Sequence, residues 1–240
     1  MYQVGCINGK RRFTIKNFAL RLLSRVHFIY FSNRAYKRIL HVKLGRIAPK
    51  SIHPINQLPM GALFIDCDGT LYKDGIEIQE VDLAKFYPRV CEFVKSHRRN
   101  GDLVVLVTNQ SKIARSNNPS FAQFLRSWRD IRNICKLLEI DVAVSCTHHI
   151  DSCFPSLKRV CDFRKPNSLS ALKIFKHFVV TQSRSVMLGD RVSDMAYSHN
   201  ARLFQGVLLL NDRMFELNKE MLARPWDEPI IFKVRRHDAL

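Results

Sequence analysis

Acidic residues are missing from the start of this chain: no Asp or Glu precedes Asp66, while the same stretch carries 12 Lys and Arg. Of the net charge of +18, the residues before Asp66 hold +12 and the remaining residues +6. A mildly basic domain therefore follows a strongly basic arm. Also missing is any uncharged apolar run near the roughly 20 residues that cross a bilayer, and no secretory leader is recognisable. Cysteine is present, but its seven copies (Cys6, Cys67, Cys91, Cys135, Cys146, Cys153, Cys161) are odd in number and widely spread. That excludes a disulfide framework and predicts a reducing compartment, the cytoplasm. With 240 residues, 46% of them hydrophobic, the chain suits one monomeric domain of ordinary size with an appendage.

The arm has a pattern. On a helical projection of 17–31, Phe18, Leu22, Val26, Ile29 and Tyr30 share one face, opposite Arg21, Ser24 and Arg25. A shorter stretch, 34–43, sets Tyr36, Ile39 and Leu40 against Arg34, Lys37 and Arg38. Three readings stand: helices packed on the main domain, a basic amphipathic helix on an anionic membrane surface, or an organelle-targeting leader. Residues 45–60, with Gly45, Pro49, Pro54 and Pro59, read as a linker. The expected division is 1–59 for arm and linker and 60–240 for the domain.

From Met60 onward, strand-like runs alternate with helical patterns. Strands are expected at 61–66, 102–107, 141–145, 184–188 and 203–210, and helices at 88–99, 120–138, 167–178 and 193–201. This alternation predicts an α/β fold, a Rossmann-like parallel sheet with helices on both faces. Ligands of such sheets collect beyond the carboxyl ends of the strands. There the first run, "LFIDCDGTLY", ends in Asp66 and Asp68, the second in "TNQS", and a later one in "GDRVSD", which contains Asp190 and Asp194. Ahead of the helix at 167–178 stands "RKP", Arg164 to Pro166, with the proline suited to a first helical turn.

Paired carboxylates at the end of a buried strand repel each other and call for a positive partner. A calcium loop is excluded, because Leu71 stands where that loop requires glycine. The set suits hydrolysis of a phosphate ester. Asp66 attacks phosphorus and Asp68 serves as acid and then base. Mg²⁺ takes Asp66, Asp190 and a backbone carbonyl, with Asp68 beside them and Asp194 behind. Thr108 and Asn109 hold phosphoryl oxygens, and Lys165 neutralises their charge.

These motifs resemble those of the haloacid dehalogenase (HAD) superfamily of Mg²⁺-dependent phosphohydrolases, over about residues 60–211. "DCDGTL" is similar to its first motif, Thr108 to its second, Lys165 to its third and "GDRVSD" to its fourth. "TNQSKIAR" and "CDFRKP" resemble the branch of heptose-bisphosphate and histidinol-phosphate phosphatases. That branch implies a zinc loop, and Cys146, His148 and Cys161 stand at its spacing. Phe163 occupies the fourth position, which Cys153 or His149 would have to replace, and a loop that has lost its zinc is the favoured reading. Lys112 and Ser116 replace glycines flanking the branch's second motif.

No large cap domain fits between the motifs. By resemblance, Arg115 and Arg164 meet a second anionic group, as on a sugar bisphosphate. The expected partner is thus a small phosphate ester, most simply a heptose bisphosphate. A related branch that removes 3′-phosphates from DNA is the alternative, favoured by the basic arm. A non-catalytic module held at a membrane surface is the second alternative.

Overall fold

The computed structural model describes residues 28–35, 60–72, 83–117, 120–210 and 232–236. Its centre is a seven-stranded sheet, made of β1 (Phe28–Phe31), β2 (Ala62–Ile65), β3 (Leu103–Asn109), β4 (Val142–Cys146), β5 (Val186–Gly189), β6 (Gln205–Leu210) and β7 (Phe232–Arg236). The spatial order is β1-β4-β3-β2-β5-β6-β7, and every pairing is parallel except β1 with β4. Among the described residues, the longer helices that flank it are α1 (Pro88–Arg99), α2 (Phe121–Leu137), α3 (Leu169–His177) and α4 (Val192–Asn200).

The strands in the middle are apolar on both faces because both faces are covered. Leu63 and Ile65 of β2 point into a core with Val90 and Val94 of α1 and Ile131 and Ile134 of α2. Their neighbours Ala62 and Phe64 point the other way, toward Ala171 and Ile174 of α3 and Met195 and Tyr197 of α4. Helix α2 starts on a capping box, in which the Ser120 hydroxyl accepts from the Gln123 amide and the Gln123 side chain accepts from the Ser120 amide. Chain order runs outward from β2 through β3 to β4, then resumes on the other side at β5. The carboxyl ends of β2, β3 and β5 therefore flank the point where the strand order reverses, the usual place for a ligand in such sheets.

Five strands and four helices lie where the sequence pattern puts them, within a few residues. Two strands differ. Residues 28–31, read as the end of a helix, form β1 and close one sheet edge against β4. The run "FIYF" fits either period over so short a length, and pairing with β4 decides it. The strand β7 was not expected, although "FKVRR" alternates apolar and basic residues in its first four positions. Pro166 precedes α3 by three residues instead of lying in its first turn. The remaining arm and linker (1–27 and 36–59) lie outside the described residues.

The edge strand is anchored by one buried acid. Asp141 is fully buried and accepts from the Val104 amide at 3.0 Å, from Ser32 Oγ at 3.4 Å and from Arg34 Nη1 at 3.4 Å. Arg98 Nη1 lies 3.6 Å from its other oxygen. Ala35, just after β1, is wholly buried in the second core. Removing the carboxylate orphans these donors, so Asp141→Ala is expected to lower unfolding free energy by about 3 to 5 kcal/mol. Arg34 is partly exposed, and Arg34→Ala is expected to cost under about 1 kcal/mol. Denaturant titration of both variants checks the contrast, and equal losses would refute the anchoring role of Asp141.

Candidate active site

Four charged side chains meet at the carboxyl ends of β2 and β5. Asp66 follows β2 directly, its amide donating to the Leu188 carbonyl of β5 at 2.9 Å. Lys165, on the loop before α3, is buried, with its Nζ 2.6 Å from Asp66 Oδ1 and 2.7 Å from Asp194 Oδ1. Asp194 lies in the first turn of α4 and its second oxygen accepts from the Arg191 amide at 3.0 Å. One carboxylate thus caps a helix and holds the lysine at once. Asp190, at the end of β5, accepts from Thr70 Oγ1 at 3.2 Å.

Two glycines make this crowding possible. A Cβ on Gly69 would collide with the Asp190 carboxylate, and Gly69 also has φ +82°, a conformation that favours glycine. A Cβ on Gly189 would collide with Asp194. The glycines of "DGT" and "GD" are therefore spaces occupied by the two acids.

A second group of contacts surrounds the end of β3. Asn109 donates from Nδ2 to the Lys165 carbonyl at 3.0 Å and accepts from the Lys165 amide at 3.1 Å. Its side chain thereby clamps the backbone of the lysine. Thr108 is buried, and Gln110 Nε2 donates to its hydroxyl at 2.9 Å and to Asp68 Oδ2 at 2.7 Å. Tyr72 donates to Asp68 Oδ1 at 2.9 Å. Sequence reasoning passed over Thr70, Tyr72 and Gln110. Gln110 could have been found inside the same "TNQS" run, whereas the Tyr72 contact depends on a turn that no periodicity encodes.

The carboxylates that lie within 4.8 Å of one another are those of Asp66, Asp190 and Asp194. Asp68, expected among the metal ligands, is not in this group and accepts from Gln110 and Tyr72, while Asp194 is the group's third carboxylate. Three carboxylates facing one ammonium leave an excess of negative charge in a dry site. Burial is the main cause that pushes Asp66 up to about 6, with Lys165 working against it and Asp194 adding to it. Burial again comes first in pushing Asp190 up to about 8, followed by repulsion from Asp66 and Asp194. Burial opposes the charge on Lys165, but Asp194 and Asp66 outweigh it and hold the ammonium above its ordinary value. Hard oxygen donors with uncompensated charge fit a small divalent cation.

Positive charge also gathers at the mouth. Arg164 is half-buried and donates to the His148 carbonyl at 3.1 Å. Burial lowers it from its ordinary value, and the nearby guanidiniums of Arg115 and Arg191 add to that shift. Below this rim, Cys146, His148 and Cys161 are buried with their ligand atoms within 4.8 Å of one another. Cys146 Sγ lies 3.5 Å from Cys161 Sγ and 3.6 Å from His148 Nδ1. Phe163 packs against the second core. Cys153 is exposed, and His149 Nδ1 accepts from the Asp151 amide at 3.1 Å, so neither stands as the fourth ligand in this arrangement.

A family model described as Polynucleotide kinase 3 phosphatase matches residues 62–221. The chain is 34% identical over 150 residues to D-glycero-beta-D-manno-heptose-1,7-bisphosphate 7-phosphatase of Haemophilus influenzae, covering 62% of this chain and 80% of that protein. To the protein of the same name in Escherichia coli K12 it is 31% identical, covering 62% and 78% respectively. Among solved structures, D,D-heptose 1,7-bisphosphate phosphatase from B. bronchiseptica, complexed with magnesium and phosphate, shares the fold. Its TM-score is 0.55 at 20% identity, over 75% of this chain and 95% of that one.

Both shifted acids stand above their ordinary value of 3.8, at about 6 and about 8, so the metal-free fold binds more protons than the unfolded chain across that interval. Its stability accordingly falls as pH rises from about 4 to 8. A divalent cation competes with those protons and relieves the repulsion. Mg²⁺ is expected to raise the melting temperature more at pH 8 than at pH 5, read by thermal unfolding with and without EDTA. An equal or larger shift at pH 5 would show that these carboxylates do not hold the ion.

Proposed function

Because this chain belongs to the Polynucleotide kinase 3 phosphatase family of HAD-type phosphatases, we propose that it hydrolyses a small phosphomonoester, a heptose bisphosphate or a close analogue, through an aspartyl phosphate. The observation that carries the reading is the buried convergence of Asp66, Lys165, Asp190 and Asp194 at the strand-order reversal. The substrate class is supported by the curated relatives named D-glycero-beta-D-manno-heptose-1,7-bisphosphate 7-phosphatase.

In this reading an Asp66 oxygen attacks phosphorus. The bond to the leaving oxygen breaks, and that oxygen takes its proton from Asp68. Asp68 then removes a proton from water, the resulting hydroxide displaces Asp66, and inorganic phosphate departs. Gln110 and Tyr72 hold the Asp68 carboxyl in place between these two duties. Lys165 neutralises the phosphoryl oxygens while Asn109 fixes its backbone, and Thr108 contributes its hydroxyl beside them. Mg²⁺ bound at Asp66 and Asp190 would supply charge neutralisation for the phosphoryl group. Asp194 positions Lys165, and Arg115 and Arg164 attract the anionic substrate.

The family description and the +12 arm favour a second reading, removal of 3′-phosphates from nucleic acid ends. A phosphate-release assay over heptose 1,7-bisphosphate, histidinol phosphate and 3′-phosphorylated oligonucleotides separates the two. Asp66→Asn is expected to lower turnover at least about 10³-fold and to abolish an acid-stable phosphoenzyme, since the amide is a poor nucleophile. Wild-type turnover retained in Asp66→Asn would refute the mechanism.

For the cysteine loop we keep the zinc-free reading: Cys146, His148 and Cys161 pack as thiols and imidazole because Phe163 has replaced the fourth ligand with a core contact. Elemental analysis of protein prepared without chelator is expected to find well under one zinc per chain. A stoichiometric zinc that disappears in Cys161→Ser would reverse this. Burial of five of the six free cysteines among the described residues suits a reducing, cytoplasmic setting. No helix among the described residues is long and apolar enough to cross a membrane. Packing of residues 28–35 on the sheet favours the docked reading for that part of the arm, and the membrane-surface reading concerns residues outside the described ones.

A further inference from the structure

A groove of about 590 Å³ opens beside the catalytic centre and runs along one face of α2. Asp68 and Gln110 line one end, and Ile131 and Ile134 give it an apolar wall. Gln123, Ser127, Ile131 and Ile134 follow one another at three- and four-residue intervals, so a single stripe of the helix forms that side. Lys112 and Arg126 line it as cations. Arg129 and Asp130 line it as well and pair with each other at 3.5 Å.

The direction of the leaving group follows from the chemistry. If Asp68 protonates the leaving oxygen, the atoms bonded to that oxygen begin beside its carboxyl group. Asp68 borders this groove, whereas Arg115 and Arg164 do not line it. The volume lies in the range of small-molecule sites, about 300 to 1,000 Å³. Building on the phosphatase reading above, we propose that the leaving group occupies this groove as a polyol, and that Lys112 and Arg126, the cations of its lining beside Arg129, hold its second anionic group. The polar stripe of Gln123 and Ser127 faces the hydroxyls between.

The test uses the full chain with Mg²⁺ and two probes, D-glycero-D-manno-heptose 1,7-bisphosphate and p-nitrophenyl phosphate, whose leaving group has no second anion. For Lys112→Ala and Arg126→Glu, the ratio of kcat/KM on the bisphosphate to that on p-nitrophenyl phosphate is expected to fall roughly five- to tenfold, through KM. Calorimetry of the bisphosphate with Asp66→Asn protein should show the same weakening when Arg126→Glu is added. Both positions are solvent-exposed, so neither change threatens the core. An unchanged ratio in an enzyme that hydrolyses both probes overturns the groove assignment alone. If the two variants instead impair only 3′-phosphorylated oligonucleotides, the groove is a strand path and the proposal fails. A wild-type protein that releases phosphate from none of these overturns the phosphatase reading itself, and this inference with it.

Discussion

The buried pairing of Lys165 with Asp66 and Asp194 is the interaction on which the rest of the site depends. A lysine in so dry a place keeps its proton only because two carboxylates stabilise it. Asp66, in turn, is drawn toward its ionised, nucleophilic form by that ammonium while burial and Asp194 oppose it. The balance leaves Asp66 ionised only above about pH 6, and Asp190, pushed up to about 8, is still more reluctant to ionise. Such a centre is complete only when further positive charge arrives. Loading with a cation and activation of the nucleophile are therefore one event in electrostatic terms. The scaffold serves this balance: the capping position of α4 fixes Asp194, and the Asn109 amide fixes the lysine backbone from β3.

Much of this was legible from the chain because the information is local. The runs at 62–65 and 103–109 are apolar throughout, and such runs are strands only when helices cover both faces. The polar residues that end them had nowhere to be but the rim. Asp66, Lys165 and Asp190 could be placed from that logic together with the resemblance. What stayed hidden depends on contacts between distant segments. The Asp68 side chain was expected near the cation, but the turn after β2 gives it to Tyr72 and Gln110. The clamp of the Asn109 side chain on the lysine backbone joins residues 56 positions apart. β1 was hidden for the same reason, since four residues of "FIYF" carry no period of their own.

Two clusters of positive charge flank the centre, and they differ in what surrounds them. Burial depresses Arg164, and the nearby Arg115 and Arg191 add to that, so an anion among them would be favoured. Lys112, in the turn after β3, and Arg126, on α2, line a groove that also offers amide and hydroxyl groups from Gln123 and Ser127. A substrate with charge at both ends and hydroxyls between would meet complementary surfaces along its length. An isolated phosphate would satisfy only one of them.

The antiparallel edge strand has a consequence for how the chain is made. Phe28–Phe31 leaves the ribosome more than a hundred residues before its partner Val142–Ser145 exists. At translation speeds of about 5 to 20 residues per second, that is a wait of several seconds or more. During it, the apolar "FIYF" segment is without its pairing, in a region whose charges are all of one sign. Mutual repulsion between the basic arms of neighbouring nascent chains would then discourage them from exchanging that strand. The absence of acid before Asp66 thus acts as a kinetic safeguard during synthesis, besides anything it does in the finished molecule.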